Sequence, residues 1–244
     1  MLNKKFYFKS LRKIVVGFGT LFNNVQIDRK DNDSAAAKSF VVPLSYAPRE
    51  HYMATLRDGL DGLQTILPRM SYEMTGMQYD ATRKLTTTGF TKGEIPTPAI
   101  QEFYKQLNPV PYNVSFDLNI FTRTIEDSLQ IIEQIVPYFT PGFNIAIKEV
   151  DELNIVRDVQ ILLESVQPSD TWEDSVEGGR VITWTLSFTA EMNLYPPVEV
   201  SKVILKAISD IKKSVNVVDE NITVEVSPIT AKKSEPHTTT TTIL

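Results

Sequence analysis

The 244-residue chain contains no cysteine and only two histidines, His51 and His237. Without cysteine it can form no disulfide, no thiolate zinc site, no iron–sulfur cluster and no cysteine nucleophile. His51 beside Glu50 is a conceivable general base, but no partner residue is spaced to complete a catalytic set, so a surface or helix-cap role is favoured. The sequence therefore predicts a protein that is not an enzyme and has no cofactor, metal site or small-molecule substrate.

Long apolar runs are also missing from the chain. No stretch approaches the roughly 18 uninterrupted apolar residues that a membrane-spanning helix requires. The apolar segment Ile14 to Phe22 follows several basic residues, as in a signal peptide, but Gly17 and Gly19 interrupt it and no small-residue cleavage site follows. We expect a mature N-terminus, a soluble protein and no membrane partner.

Basic residues are in the minority, with 25 Lys and Arg against 30 Asp and Glu and a net charge of -5. The chain therefore has no global positive field to attract nucleic acid or anionic lipid, and any such binding must be local. One local basic cluster is Lys4, Lys5, Lys9, Arg12 and Lys13. It could contact phosphate, contact an acidic protein surface or be simply solvated, and the sequence does not decide between these. A peripheral nucleic-acid or membrane-surface binder is therefore the alternative function.

The composition, with 42% hydrophobic and 23% charged residues, is that of a folded protein. A chain of this length buries roughly 70 to 75% of its unfolded surface. We predict a single α+β domain over residues 1–227. Residues 228–244 end in five threonines, Thr238 to Thr242, and have too few apolar residues for a core, so we predict a flexible tail that a partner orders.

Alternation of apolar and polar residues predicts half-buried strands in a mainly antiparallel or mixed sheet with packed helices. The clearest are Tyr112–Phe121 and Val181–Thr189, with further strands at Met70–Thr75 and around Ile161 and a hairpin from Val25 to Leu44. Residues 86–98 have the threonine, glycine and proline content of a loop. Residues 198–212 suit either a helix or a strand, so their type stays open.

Helical spacing predicts helices over residues 9–23, with Ser10 as a possible cap, and from Pro48 to about Leu60. The strongest helix follows Thr124, which forms a capping-box pattern with Asp127. Its predicted apolar stripe is Ile125, Leu129, Ile132, Ile135, Val136 and Phe139.

Three collinear stretches carry a resemblance to a known family. They are VPLSYAPREHYM at 42–53, IFTR at 120–123 with IIEQIVPYF at 131–139, and WTLSF at 184–188 with YPPV at 195–198. Together they resemble the tail sheath stabiliser and completion proteins of T-even-like contractile-tailed bacteriophages. The second stretch is the most specific.

The resemblance implies a structural virion protein with a tail-terminator-like subunit. Six copies would form a homo-hexameric ring at the head-proximal end of the tail, seated on the tail sheath protein and the tail tube terminator protein. The ring would cap and stabilise sheath and tube and provide the surface to which neck (head completion) proteins attach. Assembly would take place in the host cytoplasm, and the mature location would be the virion tail.

Candidate interface residues combine the resemblance with local chemistry. Arg123 lies between a strand and a capped helix, where its guanidinium can pair with a carboxylate of a neighbour. Trp172, in the acidic loop that contains Asp170, Glu173, Asp174 and Glu177, would expose apolar area unless a partner covers it. The full predicted set is Arg49, Arg123, Glu126, Trp172, Tyr195, Pro196, Pro197, Lys232 and Lys233.

Overall fold

The computed structural model describes residues 5–30, 37–51, 53, 67–94, 102–140, 142–151, 153–171, 181–202, 206–214, 217–227 and 238–243. Helix α1 spans Ser10–Leu21, and helix α2 spans Ile125–Ile135 and continues into a 3₁₀ turn, Val136–Tyr138. The strands are β1 (Gln26–Lys30), β2 (Ala37–Val41), β3 (Leu44–Tyr46), β4 (Arg69–Tyr79), β5 (Phe90–Glu94), β6 (Glu102–Leu107), β7 (Val110–Thr122), β8 (Gly142–Val150), β9 (Ile155–Thr171), β10 (Val181–Leu194), β11 (Glu199–Lys202), β12 (Lys206–Ser214), β13 (Val217–Ser227) and β14 (Thr238–Ile243). The prediction of an α+β fold is confirmed.

A six-stranded sheet in the order β3-β4-β7-β10-β9-β8 forms the main scaffold. Only β3 and β4 run parallel, and every other neighbouring pair is antiparallel. The alternation predicted for β7 and β10 is observed, because Phe116, Leu118, Leu186 and Phe188 are at most 1% exposed. The polar residues that alternate with them are not all exposed to solvent, because Thr183 and Asn119 are also buried.

Helix α1 packs one apolar stripe against this sheet. Ile14 and Phe18 are fully buried, and the Phe18 ring stacks on Phe116 with centroids 4.5 Å apart. Gly17 and Gly19 allow the helix to lie close to the sheet. A Cβ atom on Gly19 would lie only 2.3 Å from the Tyr72 hydroxyl oxygen. The predicted Ser10 cap is wrong, since the N-cap is Lys9 and its side chain makes no capping hydrogen bond.

Helix α2 begins as predicted, with the Asp127 N–H donating to Thr124 Oγ1 at 3.3 Å. Its buried face matches the predicted stripe towards the C-terminal end, where Ile135 is buried and Ile132, Val136 and Phe139 pack against the core, but not at the start of the helix. Ile131 and Ile135 are buried, whereas Ile125 and Leu129 are 52% and 42% exposed. At the start of the helix the polar residues Asp127 and Ser128 are buried in their place.

Three smaller sheets accompany the main one: the hairpin β1-β2, the sheet β11-β6-β5 and the sheet β12-β13-β14. Residues 90–94, predicted as loop, form β5 because they pair antiparallel with β6. Residues 199–202 and 206–214, whose type the sequence left open, are strands. Among the described helices, none is long and apolar enough to cross a membrane.

The chain divides into two compact units. One comprises residues 1–86 and 109–195, and the other comprises residues 87–108 and 196–244. In the second unit the threonine-rich segment 238–243 is strand β14, which pairs with β13 of the same chain. That residues 1–227 behave as one cooperative domain and that residues 228–244 order only on a partner stay predictions. Most of the predicted helix after Pro48 lies outside the described residues.

Candidate assembly surfaces

Helix α2 holds the β1-β2 hairpin through two glutamine side chains. Gln130 accepts from the Asp28 N–H at 2.9 Å and donates to the Asp28 carbonyl at 3.2 Å. One helical turn later, Gln134 accepts from the Gln26 N–H at 3.3 Å and donates to its carbonyl at 2.6 Å. The two amides therefore satisfy the outer backbone edge of β1, as a neighbouring strand would.

An ion pair between Arg29 and Asp127 also joins the hairpin to α2. The Asp127 side chain is 4% exposed and forms two hydrogen bonds with Arg29, one from Nε to Oδ1 at 3.2 Å and one from Nη2 to Oδ2. The hydrogen bond to Asp127 raises the pKa of Arg29, against the effect of burial. The Arg29 guanidinium also lies over the Phe40 ring, 5.1 Å from its centroid. Bidentate pairing of this kind fixes orientation as well as charge, so the hairpin is held firmly on α2.

The outer face of α2 is left to solvent in the isolated chain. Ile125 and Leu129 lie one helical turn apart and are therefore on the same side of the helix. The predicted interface residues Arg123 and Glu126 are both exposed at the start of this helix. We define the α2 outer face as Arg123, Ile125, Glu126 and Leu129. It is an apolar patch with one charge of each sign at its edge.

Arg49 lies where the chain leaves β3. The Ala47 N–H donates to the Tyr72 carbonyl at 3.1 Å, and the Arg49 N–H donates to Glu73 Oε1 at 3.2 Å. These contacts seat the segment beside β4 and leave the Arg49 side chain half-buried, with Nη2 3.5 Å from Ser169 Oγ. His51 is exposed, and its N–H donates to the Pro48 carbonyl, which fits the predicted surface role.

Tyr195 is 6% exposed and faces a buried carboxylate rather than solvent. Its neighbour Glu149 has a side chain 3% exposed, with Oε2 at 3.8 Å from Arg157 Nε. Burial raises the pKa of Glu149, although the Tyr195 hydroxyl and the Arg157 charge act in the opposite direction. Burial and the nearby carboxylate together raise the pKa of Tyr195. The Tyr195 ring therefore anchors the end of β10 from inside.

We predict that Glu149→Gln flattens the dependence of stability on pH. Because the folded pKa of Glu149 lies above its unfolded value, the folded chain binds this proton more tightly, and stability falls as pH rises from the unfolded towards the folded pKa. The glutamine variant should lack that fall and be at least as stable as wild type at pH 7. Urea unfolding between about pH 4 and 7 measures this.

Glu133→Gln, at an exposed position on α2, is the matched control and should reproduce the wild-type profile. A Glu149→Gln variant more than about 1 kcal/mol less stable than wild type at pH 7 would contradict the prediction, because attraction to Arg157 would then outweigh the burial of the carboxylate.

Comparison with known proteins decides the family. The sequence profile of the T4-like virus Myoviridae tail sheath stabilisers matches residues 5–243. The chain belongs to this family. It is also 32% identical over 204 residues to tail completion protein gp15 of Enterobacteria phage T4, an alignment that covers 80% of this chain and 73% of the relative. As a tail sheath stabiliser, it is a structural protein of the virion tail and associates with the sheath.

The remaining predicted interface residues are Pro196, Pro197, Trp172, Lys232 and Lys233. Pro196 and Pro197 are half-buried, and the Pro196 carbonyl accepts from Gln106 Nε2 at 2.7 Å, which ties the proline pair to β6. Trp172, Lys232 and Lys233 lie outside the described residues.

Sequence reasoning missed the residues that fix the hairpin on α2. Gln130 and Gln134 are four residues apart and so share a helix face, but their backbone partners lie more than 100 positions away. The sequence assigned Asp127 only to the helix cap. The first turn contains two carboxylates, Glu126 and Asp127, and this was a signal that one of them could have a partner outside the helix. Nothing in the local sequence identifies Arg29 as that partner.

Proposed function

We propose that this tail sheath stabiliser forms a ring of six copies at the head-proximal end of the contractile tail. The ring caps the sheath and the tube terminator and presents a surface to neck proteins. The protein acts by binding and not by catalysis, and it assembles on the tail in the host cytoplasm. Membership of the family over residues 5–243 supports the sheath-capping role.

The observation that carries a docking role for this chain is the α2 outer face. Two large apolar side chains, Ile125 and Leu129, point away from the core of a helix that two glutamines and an ion pair fix to the hairpin. A rigid helix that presents an apolar pair with flanking charges loses little conformational entropy on docking. Arg123 and Glu126 can add charge-assisted hydrogen bonds at the rim. We propose this face as the contact with the sheath.

The other predicted interface residues have supporting roles in this proposal. Arg49 lies on the sheet beside β4, while Tyr195 and the following proline pair stiffen the end of β10. Direct contacts of Arg49, Trp172, Tyr195, Lys232 and Lys233 with tail proteins stay predictions.

The test is retention on tails. We expect Ile125→Ser/Leu129→Ser to lower the amount of this protein on gradient-purified tails by at least about tenfold, because two apolar anchors at the centre of an interface are lost. Its melting temperature should stay near that of wild type, since both side chains are already exposed in the isolated chain. The measurement is quantitative immunoblotting of tails assembled in cells that produce each variant.

Met77→Ser is the control, because Met77 is a similarly exposed apolar residue, 47% accessible, on β4. Full retention of the α2 variant would exclude this face as the sheath contact. The number of subunits in the ring is tested separately, by measuring the mass of the wild-type assembly on dissociated tail ends. Any subunit number other than six would contradict the proposed hexamer.

A further inference from the structure

A basic groove runs between α1 and β8. Its cations are Lys9 at the N-cap of α1, Arg12 and Lys13 from the helix and Lys148 from the strand, and Val16 and Ala146 contribute to its walls. Lys9 and Arg12 are exposed, and among the described residues neither forms an ion pair. Asp151 is the one described carboxylate paired with the other two lysines, at 3.4 Å from Lys13 and 4.0 Å from Lys148. The groove therefore holds an excess of positive charge in a protein whose net charge is negative.

The groove also borders an open strand edge. β8 is the last strand of the six-stranded sheet, so in the described part of the chain its outer side has no neighbouring strand. Lys13 Nζ donates to the Lys148 carbonyl at 2.7 Å, which shows that this carbonyl points outward into the groove. A site with cations beside backbone groups and apolar walls suits an acidic peptide segment better than a bare phosphate, because a peptide can use all three.

The chain itself contains a segment of that kind. Residues 170–177 include Asp170, Glu173, Asp174 and Glu177, with no lysine or arginine between them. The segment begins with Asp170 and Thr171, the last two residues of β9, which pair with the start of β10. Its charge is therefore opposite to that of the groove.

The two features lie at opposite ends of β9. The groove residue Lys148 pairs with Val156 near the beginning of β9, whereas the acidic segment leaves from Thr171. Val156 and Thr171 are fifteen positions apart, which is about 50 Å along an extended chain. With both ends anchored, residues 172–180 reach only about 16 Å beyond the strand ends. The segment cannot reach the groove of its own chain even if bending of the sheet halves the distance.

We propose that the basic groove between α1 and β8 binds the acidic segment 170–177 of a second copy of this chain. Two different, complementary patches on one subunit make a head-to-tail contact, and such contacts form a closed ring when the rotation between copies closes. The inference rests on the proposed ring and identifies its subunit contact. Opposite charges on the two patches also favour encounter in this orientation and oppose contact between like patches.

Disulfide trapping tests the contact directly, because the natural chain has no cysteine to interfere. The full-length Arg12→Cys/Glu173→Cys variant, oxidised both in solution and on purified tails, should give a ladder of covalent oligomers on a non-reducing gel. The matched pair Lys84→Cys/Glu173→Cys, with Lys84 exposed on the same unit but outside the groove, should not. Absence of the ladder on purified tails, or an equal ladder from the control pair, would overturn the proposal.

Charge reversal provides a second test that does not depend on oxidation. Arg12→Glu/Lys148→Glu makes the groove acidic, and Glu173→Lys/Asp174→Lys/Glu177→Lys makes the segment basic. We expect each variant alone to associate at least about tenfold more weakly than wild type by sedimentation or tail retention, since each contact then joins like charges. An equimolar mixture should recover association, because alternating copies restore every contact. Lys84→Glu should behave as wild type.

The outcomes separate this inference from the proposed function. A mixture that does not recover association overturns the groove–segment contact and leaves sheath capping intact. A mixture that recovers association but cannot cap tails supports the contact and contradicts the proposed function. Salt-sensitive binding of wild type to duplex DNA that Arg12→Glu/Lys148→Glu abolishes, with association unchanged, would show a nucleic-acid site and overturn the proposal.

Discussion

Replacing Phe18 by alanine is expected to lower the free energy of unfolding by about 3 to 5 kcal/mol, because a fully buried ring leaves a cavity that the surrounding sheet cannot fill. The Phe18 ring is stacked on Phe116 and meets Phe188 edge-on, with centroids 4.5 Å and 5.3 Å away. Such ring pairs add about 0.5 to 1.5 kcal/mol beyond the area that they bury. Small domains are typically stable by only about 5 to 15 kcal/mol, so this single change should remove a large part of the total.

Urea unfolding followed by tryptophan fluorescence measures this loss. Val16→Ala is the matched control, because Val16 is 53% exposed on the opposite side of the same helix and should change stability by less than about 0.5 kcal/mol. A Phe18→Ala variant within about 1 kcal/mol of wild type would mean that α1 does not close the core. That result would also count against the basic groove, because α1 and its N-cap residue Lys9 supply three of its four cations.

The sequence was sufficient for elements whose pattern is long and regular. The alternation extends over five apolar positions in β7 and four in β10, and it correctly indicated Phe116 and Phe188 as inward-facing. The period of such a pattern depends only on backbone geometry, so no knowledge of the partner strand is needed. Helix α2 was predicted for the same reason, and its Thr124 cap is a local interaction between residues three apart.

The sequence was insufficient where distant partners decide the outcome. Residues 90–94 have turn-like composition, but pairing with β6 makes them a strand, because strand formation depends on the neighbour more than on intrinsic preference. The predicted apolar face of α2 was wrong at the start of the helix for a similar reason, although Ile135 is buried as predicted. Hydrophobic spacing placed Ile125 and Leu129 inside, whereas a polar pair is buried there instead.

That difference at the start of the helix is what creates the α2 outer face. Ser128 can be buried because its hydroxyl donates to the Ile125 carbonyl at 2.7 Å, and Asp127 can be buried because Arg29 neutralises it. Neither contact is a pattern in the sequence, and one of them joins residues 98 positions apart. The candidate sheath contact was therefore predicted only at its two charged residues, Arg123 and Glu126.

We expect Arg29→Met to destabilise the protein by about 2 to 4 kcal/mol, somewhat less than the about 3 to 5 kcal/mol typical of breaking a fully buried pair. The two ends of the pair are unequal: the Asp127 side chain is 4% exposed, whereas that of Arg29 is 45% exposed. Removal of Arg29 leaves a buried carboxylate without its counter-charge. Asp127→Asn should cost less, about 1 kcal/mol, because the arginine can then turn to water.

The double variant Arg29→Met/Asp127→Asn decides between charge compensation and simple packing. If the unpaired carboxylate causes the loss, the double variant should be more stable than Arg29→Met alone, and the cycle should show a coupling energy of at least about 1 kcal/mol. Arg123→Met, an exposed arginine before the same helix, should change stability by less than about 0.5 kcal/mol. A loss for Arg29→Met with Asp127→Asn close to wild type, and no coupling between them, would mean that Arg29 contributes only its packing on Phe40.

Hydrogen exchange connects this pair to the candidate sheath contact. In Arg29→Met the Asp28 amide should exchange faster, because its bond to Gln130 then holds the hairpin without the adjacent ion pair. If the hairpin is what fixes α2, the same variant should also lose retention on tails, although Ile125 and Leu129 are unchanged. Faster exchange with full retention would instead mean that the α2 outer face keeps its geometry through its contacts with the main sheet alone.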